Sequence, residues 1–456
     1  MLKIGLEIHG YIDTKEKLFC SCKAEHGAKH SRPNTNICPT CTAQPGAKPM
    51  QPNSNAVKKA IQIGLILGCK INENLPWQRK HYNWPDLPKG YQNTLSGPHA
   101  IPLGVKGKFL GIKITECHLE EDPASWNPKT GEIDYNRSGS PLIEIVTDPD
   151  FRSSEQVVEW LKQLIITLGY IKAIDKNSGI KADVNISIKG GARIEVKNVN
   201  SIKNIQKAIE HEFARQKKEK PKIQETRIFD SNKGITKLMR TKEQAQDYRF
   251  ITDPDLPLTK LNKNEIKKIK KEIPETPLEK LEKLIKKYKI PKSNAEILTK
   301  KLEVVKFFEK IIEKVNSKLA IRWITEELLS VLNYNKKELD EIEISPEHFI
   351  ELLKLIENKK ITELKAKEIL QGWKEKSSSP NSKEHSQISD TKEIEKIVKK
   401  VITENKKAVE DYKNGEQKSM NFLIGQVMKL SNKRADYKTT KEILEKKRYR
   451  QIILSL

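Results

Sequence analysis

The pattern of apolar and polar positions divides the chain into two parts. In residues 1–255, short β-branched runs alternate apolar and polar side chains, which is the pattern of β-strands. The clearest runs are 112–117, 141–146, 184–188 and 193–199. Between them, apolar residues at helical spacing follow the capping candidates Asn53 and Ser54, then Ser153, then Ser201, which predicts three helices. The pattern predicts an α+β fold with a large, mainly antiparallel sheet and a few helices.

The second part of the chain has a different composition. From residue 259 onward glycine nearly disappears, and Lys, Glu, Leu and Ile repeat with a helical period. The Ser-rich segment 374–387 has the composition of a flexible linker, and a second helical unit follows it. The predicted organisation is therefore a sheet domain at 1–258, a helical domain at 259–373, the linker, and a small helical tail at 388–456.

The charge of the chain is strongly positive. There are 85 Lys and Arg residues against 61 Asp and Glu residues, which gives a formal net charge of +24. Such a charge attracts polyanions, nucleic acids among them. A generally Lys-rich surface explains it equally well, because the lysines are spread over long helical segments. The charge therefore permits a nucleic-acid partner without establishing one.

Two observations bear on the compartment. No apolar stretch reaches the roughly 18 residues of a transmembrane helix, and the first ten residues lack the apolar segment of a secretory signal. We therefore expect a cytoplasmic protein with no membrane partner.

The cysteines point to a metal site. Four of the six form a CxC pair and a CxxC pair: Cys20, Cys22, Cys38 and Cys41. Two such pairs can supply the four thiolates of a tetrahedral zinc site, and a site with four protein ligands is structural. Cys69 and Cys117 stand alone and are expected to be small buried apolar residues.

Two acidic motifs could bind a divalent cation. Glu7 and His9 are two residues apart in a predicted strand and so face the same side. Alone, they are better explained as a surface pair. Residues 118–122 place three consecutive carboxylates after a strand, where they repel one another unless a cation lies among them. Magnesium with bound phosphate would serve, although a solvated acidic turn is the simpler interpretation of this motif alone.

Two further segments combine polar groups. The loop 79–92 places Lys80 and Lys89 among aromatic residues and prolines, which suits a phosphate, a nucleobase or an RNA end. A loop that packs its aromatic residues on the core is an equally good explanation. The strands near 184–188 and 193–199 could present Asp183, Asn185, Glu195 and Lys197 on one surface, either the solvent side of a sheet or the floor of a site. No Walker-type loop, kinase signature or Rossmann fingerprint is present, so an ATP site would be of another kind.

Taken together, these motifs resemble one family. The chain is similar to the B subunits of glutamyl/aspartyl-tRNA amidotransferases (GatB), which act in a heterotrimer with an amidase-type A subunit and a small C subunit. The matching stretches follow the family order from residue 4 to about 436. They include GLEIH (5–9), KLFCSC (17–22), PNTNICPTC (33–41), YNWPDLPKGYQ (82–92), HLEED (118–122), GSPLIEIVTDPDFRS (139–153), RIEVKNVNS (193–201) and SMNFLIGQVMK (419–429).

The resemblance implies a fold and a reaction. It implies a kinase-like cradle domain, a helical domain and a helical tail of the YqeY type, with the last two binding tRNA. The cradle would use ATP and Mg²⁺ to phosphorylate the side-chain carboxylate of Asp-tRNA(Asn) or Glu-tRNA(Gln). Ammonia from glutamine in the A subunit would then displace the phosphate to give the amide.

The resemblance also implies roles for particular residues. The candidate magnesium ligands are Glu7, His9, Glu120 and Glu121. Lys80 and Lys89 are expected to hold phosphate or carboxylate groups. Asp183 and Glu195 are expected to line the pocket or bind metal, with help from Asn185. The four clustered cysteines keep their assignment to a structural Zn²⁺.

One departure and two alternatives remain open. Lys181 stands where the family often has Arg, and Lys lacks the bidentate geometry of a guanidinium. The related archaeal E subunit shares the cradle but carries a synthetase-like insertion before its tail, and the single modest helical stretch here favours the GatB assignment. The other alternative is a zinc-stabilised tRNA-binding module without activity of its own. The sequence does not say which tRNA is the substrate.

Overall fold

The computed structural model describes residues 2–24, 31–175, 178–241, 248–381, 386–388 and 390–446. The chain divides into two compact units, Met1–Pro277 and Leu278–Leu456. In the predicted tail at 388–456, position 389 and positions 447–456 lie outside the described residues. No helix in the part of the chain that the structure describes is long and apolar enough to cross a membrane.

The first unit contains sixteen described strands and four helices. The strands are β1 (Leu2–Tyr11), β2 (Lys70–Ile71), β3 (Asn74–Leu75), β4 (Gln78–His81), β5 (Tyr91–Thr94), β6 (Gly104–Phe109), β7 (Ile112–Glu121), β8 (Ser125–Trp126), β9 (Ile133–Asp134), β10 (Pro141–Thr147), β11 (Ile180–Ile188), β12 (Ile194–Asn200), β13 (Glu225–Asp230), β14 (Ile235–Thr241), β15 (Ile251–Thr252) and β16 (Thr259–Lys260). The helices are α1 (Ser54–Ile66), α2 (Ser154–Tyr170), α3 (Ile202–Glu219) and α4 (Lys263–Glu272).

Twelve of the described strands form one large sheet. Its order is β14-β13-β12-β11-β1-β10-β7-β5-β4-β15, and β6 extends it from β7 and carries β2. Every pairing in this sheet is antiparallel except that of β12 with β13. The predicted α+β class with a mainly antiparallel sheet is thus confirmed. The strand β1 lies at the centre, between β10 and β11.

The alternation of β1 separates the two faces of the sheet. Ile4, Leu6 and Ile8 are buried in the main apolar core, which they share with apolar residues of α1, α2 and α3. Glu7 and His9 alternate with them and therefore project from the opposite face. Burial of one face against helices thus leaves the other face free to carry polar groups.

The three predicted helices begin where their capping residues indicate. The side chain of Asn53 accepts hydrogen bonds from the first amides of α1, Ser153 does so for α2, and Ser201 for α3. The indole Nε1 of Trp160 in α2 donates to the carbonyl of Phe109 at 2.9 Å and so ties α2 to the end of β6.

The first unit extends beyond the boundary predicted at residue 258. The strand β16 pairs with β3, and Ile269 of α4 is buried in the core of this unit. Lys58 of α1 forms a 2.8 Å salt bridge with Glu272 of α4. Residues 259–277 therefore belong to the first unit, because contacts distant in sequence hold them there.

The second unit is helical in the part described. Its helices are α5 (Pro277–Tyr288), α6 (Lys292–Leu298), α7 (Leu302–Ile312), α8 (Ser317–Arg322), α9 (Leu329–Tyr334), α10 (Pro346–Glu357), α11 (Glu363–Gly372), α12 (Thr391–Glu404), α13 (Lys406–Lys413), α14 (Gln417–Leu430) and α15 (Tyr437–Lys446). A π-helical stretch, Trp323–Leu328, joins α8 to α9. The apolar residues of α12 to α15 form a core of their own.

The predicted linker at 374–387 contains ordered contacts. Ser377 is buried, and its hydroxyl accepts a hydrogen bond from the backbone amide of Ser345 at 2.9 Å. The Nδ1 atom of His348 lies 2.9 Å from the same hydroxyl. Positions 382–385 of this segment lie outside the described residues.

Candidate active site

A cavity of about 680 Å³ opens on the polar face of the large sheet. Side chains from β1, β4, β7, β11 and β12 line it, among them His9, Lys80, Glu120, Asp183 and Lys197. Its size is within the range of small-molecule and cofactor sites. The predicted site residues that reach this cavity come from segments far apart in the sequence, and the strand order brings them together.

One cluster follows directly from the register of the central strands. His9 of β1 is opposite Glu144 of β10, and Glu144 is opposite His118 of β7. The Nε2 atoms of His9 and His118 lie 3.2 Å and 3.3 Å from the same carboxylate oxygen of Glu144. Glu120, two residues beyond His118 on the same face, brings its Oε1 atom within 3.7 Å of His9 Nε2. His9, Glu120 and Glu144 could together hold a metal ion.

Burial and mutual charge shift the pKa values of the groups in this cluster. Burial alone would lower the pKa of His9, but the charge and hydrogen bond of Glu144, together with the charges of Glu120 and Asp183, outweigh it and raise the pKa to about 9. The pKa of Glu120 is raised, chiefly by burial and next by the charge of Glu144. Burial opposes ionisation of Glu144 as well, yet the two histidines hold its pKa well below the usual range. The cluster is therefore built around one firmly ionised carboxylate.

A second acidic cluster lies beside the first. Glu7 of β1 is opposite Asp183 of β11, and Glu195 of β12 is opposite Asn185 of β11. Glu7, Asp183 and Glu195 have carboxylate oxygens within 4.8 Å of one another, so they too could hold a metal ion. The amide of Asn185 donates to Glu7 Oε1 at 3.0 Å. The pKa of Glu7 is raised by burial and then by the charges of the neighbouring carboxylates.

Lys197 compensates the charge of this second cluster. Its Nζ atom lies 2.6 Å from Asp183 Oδ2 and 3.0 Å from Glu195 Oε1. A register shift between β11 and β12 occurs at this point, and the backbone amide of Asn198 donates to Asp183 Oδ1 at 2.7 Å. Burial would lower the pKa of Lys197, but Asp183 and Glu195 raise it. The lysine is thus a fixed positive charge at the cavity wall.

The donor set fits a hard divalent cation. Oxygen ligands predominate in both clusters, and Mg²⁺ prefers carboxylate oxygens together with water or phosphate. The Oε2 atom of Glu120 is buried and has no hydrogen-bond partner among the described residues, although burying an ionised oxygen without a partner is costly. A cation between the carboxylates would satisfy it, so the residues fit the group that the sequence predicted.

The structure separates Glu121 from Glu120 and Lys89 from Lys80, although the sequence analysis gave the members of each pair the same role. Glu121 follows Glu120 in β7 and points to the opposite side of the strand, where it pairs with Lys89 and accepts from the backbone amide of Asn93 at 2.8 Å. Neither Lys89 nor Glu121 lines the cavity, whereas Lys80 does. The structure therefore does not bring Glu121 together with the other magnesium candidates, because β7 continues through Glu121 and successive side chains of a strand point to opposite sides.

Lys80 lines the cavity from the side of β4. Its Nζ atom lies 5.0 Å from the ring centroid of Tyr248. Burial would lower the pKa of Lys80, but the charges of Glu120 and then Glu144 raise it. Lys80 is therefore a cation directed at the first acidic cluster, as a group that contacts phosphate should be.

The two ends of the cavity differ in chemistry. One end carries basic and amide side chains: Lys181, Asn198, Asn200 and Arg240. The other end carries aromatic and acidic side chains, with one arginine: Tyr11, Tyr82, Trp84, Asp86, Asp122 and Arg137. The first group lies on β11, β12 and β14, and the second lies on or just beyond β1, β4, β7 and β9.

The four cysteines converge away from this cavity. Cys20, Cys22, Cys38 and Cys41 place their sulfur atoms within 4.8 Å of one another, as four ligands of one metal ion require. A hydrogen bond from Cys20 and the nearby charge of Lys17 lower the pKa of Cys41 to about 4, while burial raises the pKa of Cys22 to about 11. The geometry fits the predicted zinc site.

Lys17 is a buried companion of the cysteines that the sequence did not single out. Its side chain is only 1% exposed. Its Nζ atom donates to the carbonyl oxygens of Asn36 and Tyr135 at 3.0 Å and 3.1 Å and lies 3.4 Å from Cys41 Sγ. A positive charge in this position offsets the negative charge that four thiolates around one Zn²⁺ would leave.

Sequence reasoning also missed Glu144 and His118. Glu144 stands in the apolar strand PLIEIV, where a glutamate flanked by isoleucines is itself a signal of a polar face. His118 is the first residue of the HLEED motif, but the sequence analysis considered only the carboxylates of that motif as candidate ligands. Neither could be placed beside His9 without knowing that β10 lies between β1 and β7.

Comparison with known proteins now defines the class. Residues 2–267 match the family described as the GatB/GatE catalytic domain, and residues 306–447 match the family described as the GatB domain. The first match contains both acidic clusters, the cysteine cluster and the whole large sheet. The cavity thus belongs to a catalytic domain of the GatB/GatE type.

Full-length relatives narrow the assignment. The chain is 45% identical to the aspartyl/glutamyl-tRNA(Asn/Gln) amidotransferase B subunit of Methanococcus maripaludis strain C5, with 98% of each chain covered. It is 44% identical to the protein of that name from Methanocaldococcus jannaschii, again over 98% of each chain, and 42% identical to that from Methanothermobacter thermautotrophicus. The chain belongs to the family of aspartyl/glutamyl-tRNA(Asn/Gln) amidotransferase B subunits, so the resemblance inferred from the motifs is confirmed.

Proposed function

We propose that this chain is the GatB component of a glutamine-dependent amidotransferase that converts Asp-tRNA(Asn), Glu-tRNA(Gln) or both to the amide. Its relatives carry that name over their full length. The observation that carries the proposal is that two neighbouring carboxylate clusters reach one cavity through Glu120 and Asp183, and that Lys80 and Lys197 line the same cavity. Opposed charges of this kind suit phosphate transfer from ATP with Mg²⁺.

The chemistry explains why ATP is needed. A carboxylate does not react with ammonia, because oxide is too poor a leaving group. A side-chain carboxylate oxygen that attacks the γ-phosphorus of ATP forms an acyl phosphate and releases ADP. Ammonia then attacks the acyl carbon, loses a proton, and displaces inorganic phosphate to leave the amide.

The residues divide this work between them. Glu7, Asp183 and Glu195 would form one cation site, and His9, Glu120 and Glu144 the other, with Asn185 orienting Glu7. Bound Mg²⁺ would neutralise phosphate charge and align the γ-phosphate with its acceptor. Lys80 would bind the transferred phosphate or the acceptor carboxylate, and Lys197 would hold Asp183 and Glu195 in place.

The remaining parts have supporting roles in this proposal. The basic and amide end of the cavity, with Lys181 and Arg240, suits the polyphosphate of ATP. The cysteine cluster would hold a structural Zn²⁺. The helical second unit would bind the tRNA, and an amidase-type A subunit with a small C subunit would supply ammonia and complete a heterotrimer. The complex would act in the cytoplasm, where aminoacyl-tRNA is used.

The test isolates the phosphorylation step. The assembled complex is incubated with ATP radiolabelled at its γ-phosphate and with Asp-tRNA or Glu-tRNA, without glutamine or ammonia. Acid-labile label on the aminoacyl-tRNA is expected and would also name the substrate. A complex that binds both tRNAs but labels neither would show that this chain only binds tRNA.

A pair of variants separates chemistry from binding. Glu120→Gln should abolish labelling and leave tRNA binding intact. Glu132→Gln, at an exposed position remote from the acidic clusters, should behave as the unmodified protein does. Equal labelling by both variants would remove the acidic clusters from the mechanism.

A further inference from the structure

The acidic and aromatic end of the cavity has no role in phosphate transfer. Asp86 and Asp122 line this end, together with Arg137. Arg137 Nε lies 3.0 Å from Asp122 Oδ2, and the hydroxyl of Tyr11 donates to the same oxygen at 2.7 Å. One guanidinium thus faces two carboxylates, so this end keeps a net negative charge. Repulsion disfavours a triphosphate there.

Asp86 has an unused acceptor. Its Oδ1 atom is buried and has no hydrogen-bond partner among the described residues. Burial raises the pKa of this carboxyl, and its own backbone amide and the charge of Arg137 offset that effect only in part. A cationic ligand would supply the remaining compensation. The surrounding walls are aromatic, and the faces of such rings also attract cations.

The loop that carries Asp86 is held firmly in place. The backbone carbonyl of Asp86 accepts a hydrogen bond from the amide of Ala124 at 2.8 Å. Arg137 donates to the carbonyl oxygens of Pro123 and Ala124. The ring of Trp84 packs edge to face against Trp126, with 5.5 Å between the ring centroids. The carboxylate is therefore a preorganised acceptor, so little ordering is needed when a ligand binds.

The strands place Asp122 and Tyr11, which line the same end of the cavity as Asp86, close to the first acidic cluster. Asp122 follows Glu120 by two residues, and Tyr11 follows His9 by two residues, so one pleat of about 7 Å separates the two groups. An aspartyl or glutamyl group has its carboxylate at one end and its α-ammonium group a few bonds away. With the carboxylate at Lys80 and Glu120, the α-ammonium group reaches toward the Asp86 end.

We infer that Asp86 binds the α-ammonium group of the amino acid esterified to tRNA, with Tyr82 and Trp84 forming the walls of this subsite. This inference rests on the proposed function and adds a specificity residue to it. The subsite orients the amino acid so that its side-chain carboxylate faces the γ-phosphate. It also distinguishes charged from uncharged tRNA by a cation that only charged tRNA carries.

The experiment compares two esters that differ in one group. Nitrous acid converts Asp-tRNA or Glu-tRNA to the corresponding hydroxyacyl-tRNA, in which a neutral hydroxyl replaces the ammonium group. Both are bound to the assembled complex without ATP, and uncharged tRNA treated in the same way controls for damage to the bases. The unmodified complex should bind the aminoacyl-tRNA about tenfold more tightly, as expected when a charged hydrogen bond is lost.

Variants of Asp86 assign the effect. Asp86→Asn should erase the preference for the ammonium form, and Asp86→Glu, which keeps the charge, should retain part of it. Glu132→Gln should keep the full preference. Equal binding of the two esters by the unmodified complex, or an undiminished preference in Asp86→Asn, would overturn the inference. If Asp86→Asn does not fold, Asp86→Ser, which also removes the charge, takes its place in the same comparison.

The outcome is separable from that of the proposed function. Acyl-phosphate labelling is measured on the same preparations. Labelling without discrimination between the two esters would refute the ammonium subsite alone. Discrimination without labelling would support the subsite and refute the kinase step.

Discussion

Glu144 of β10 and His9 of β1 face each other across two neighbouring strands, with 3.2 Å between the carboxylate Oε2 and the imidazole Nε2. The same oxygen is 3.3 Å from Nε2 of His118. Glu144 therefore links two histidines, one of which, His9, lines the cavity. Although burial opposes its ionisation, the charges and hydrogen bonds of His118 and His9 hold its pKa well below the usual range.

The first prediction concerns this carboxylate. Glu144→Gln keeps the size of the side chain but removes the charge that His9 and a cation would share. We expect acyl-phosphate formation to fall by about 100-fold, at the upper end of what loss of a metal-site partner costs, with tRNA binding unchanged. Asp148→Asn, which removes a carboxylate bonded to Thr115 at the exposed end of β10, is the control. Comparable rates for the two variants would exclude Glu144 from the site.

The second prediction separates two lysines of the same loop. Lys80 lines the cavity, whereas Lys89 pairs with Glu121 outside it. Lys80→Met should abolish acyl-phosphate labelling, because it removes the cation that faces Glu120. Lys89→Met should retain labelling but lower the thermal stability, because it leaves the buried Glu121 without its partner. Loss of labelling in a folded Lys89→Met protein would show that the two lysines act together.

The part of the site that sequence could predict is the part that strand alternation determines. Glu7 with His9, and Asp183 with Asn185, each lie on a single strand, so their common face follows from spacing alone. The contact of Glu144 with His9 depends instead on which strands are neighbours, and no local pattern states that order. The sequence could also have predicted that Glu120 and Glu121 point to opposite sides. This prediction requires only that the strand β7 be extended through Glu121.

The fold shows the same division between local and distant information. The N-terminal caps at Asn53, Ser153 and Ser201 were readable from the sequence because capping involves residues only a few positions apart. The C-terminal boundary of the first unit could not be predicted from the sequence. It depends on the pairing of β16 with β3 and on the burial of Ile269, and both contacts join segments well separated in the chain.

The third prediction tests the metal content of the cysteine cluster. The purified protein should contain about one zinc per chain, as expected for a closed site with four thiolates. Cys41→Ser should lose the metal and melt at a lower temperature. Cys69→Ser, which alters a buried cysteine outside the cluster, should keep it. Elemental analysis of the three proteins decides, and zinc retained by Cys41→Ser would reject the assignment.

The fourth prediction concerns the lysine that approaches this cluster. Lys17→Met keeps much of the side-chain volume but removes the charge near Cys41. The affinity for zinc, measured by competition with a chromophoric chelator, should fall by about tenfold, which is typical for the loss of a group outside the ligand shell. The control is Lys15→Met, at an exposed position two residues away. Equal affinities in the two variants would leave Lys17 with a packing role only.

The fifth prediction uses the cap of α15. The Asp436 carboxylate accepts hydrogen bonds from the backbone amide and the hydroxyl of Thr439, both at 2.7 Å, and from the Gln387 amide at 2.9 Å. Burial alone would raise the pKa of Asp436, but these hydrogen bonds lower it below the ordinary 3.8. Because the folded-state pKa is lowered, the stabilisation is present above pH 3.8 and is lost as the pH falls through the folded-state value.

Two variants separate the charge of this cap from its hydrogen bonds. Asp436→Ala should reduce the stability of the 388–446 helices by about 1 kcal/mol near neutral pH, the usual cost of a lost cap. Asp436→Asn also caps helices well, so it should lose less stability at neutral pH and should lack the acid-dependent component. Hydrogen exchange of these helices at pH 7 and below pH 4 measures both effects. A difference between the unmodified protein and Asp436→Asn that does not shrink in acid would show that the ionised carboxylate contributes nothing beyond its hydrogen bonds.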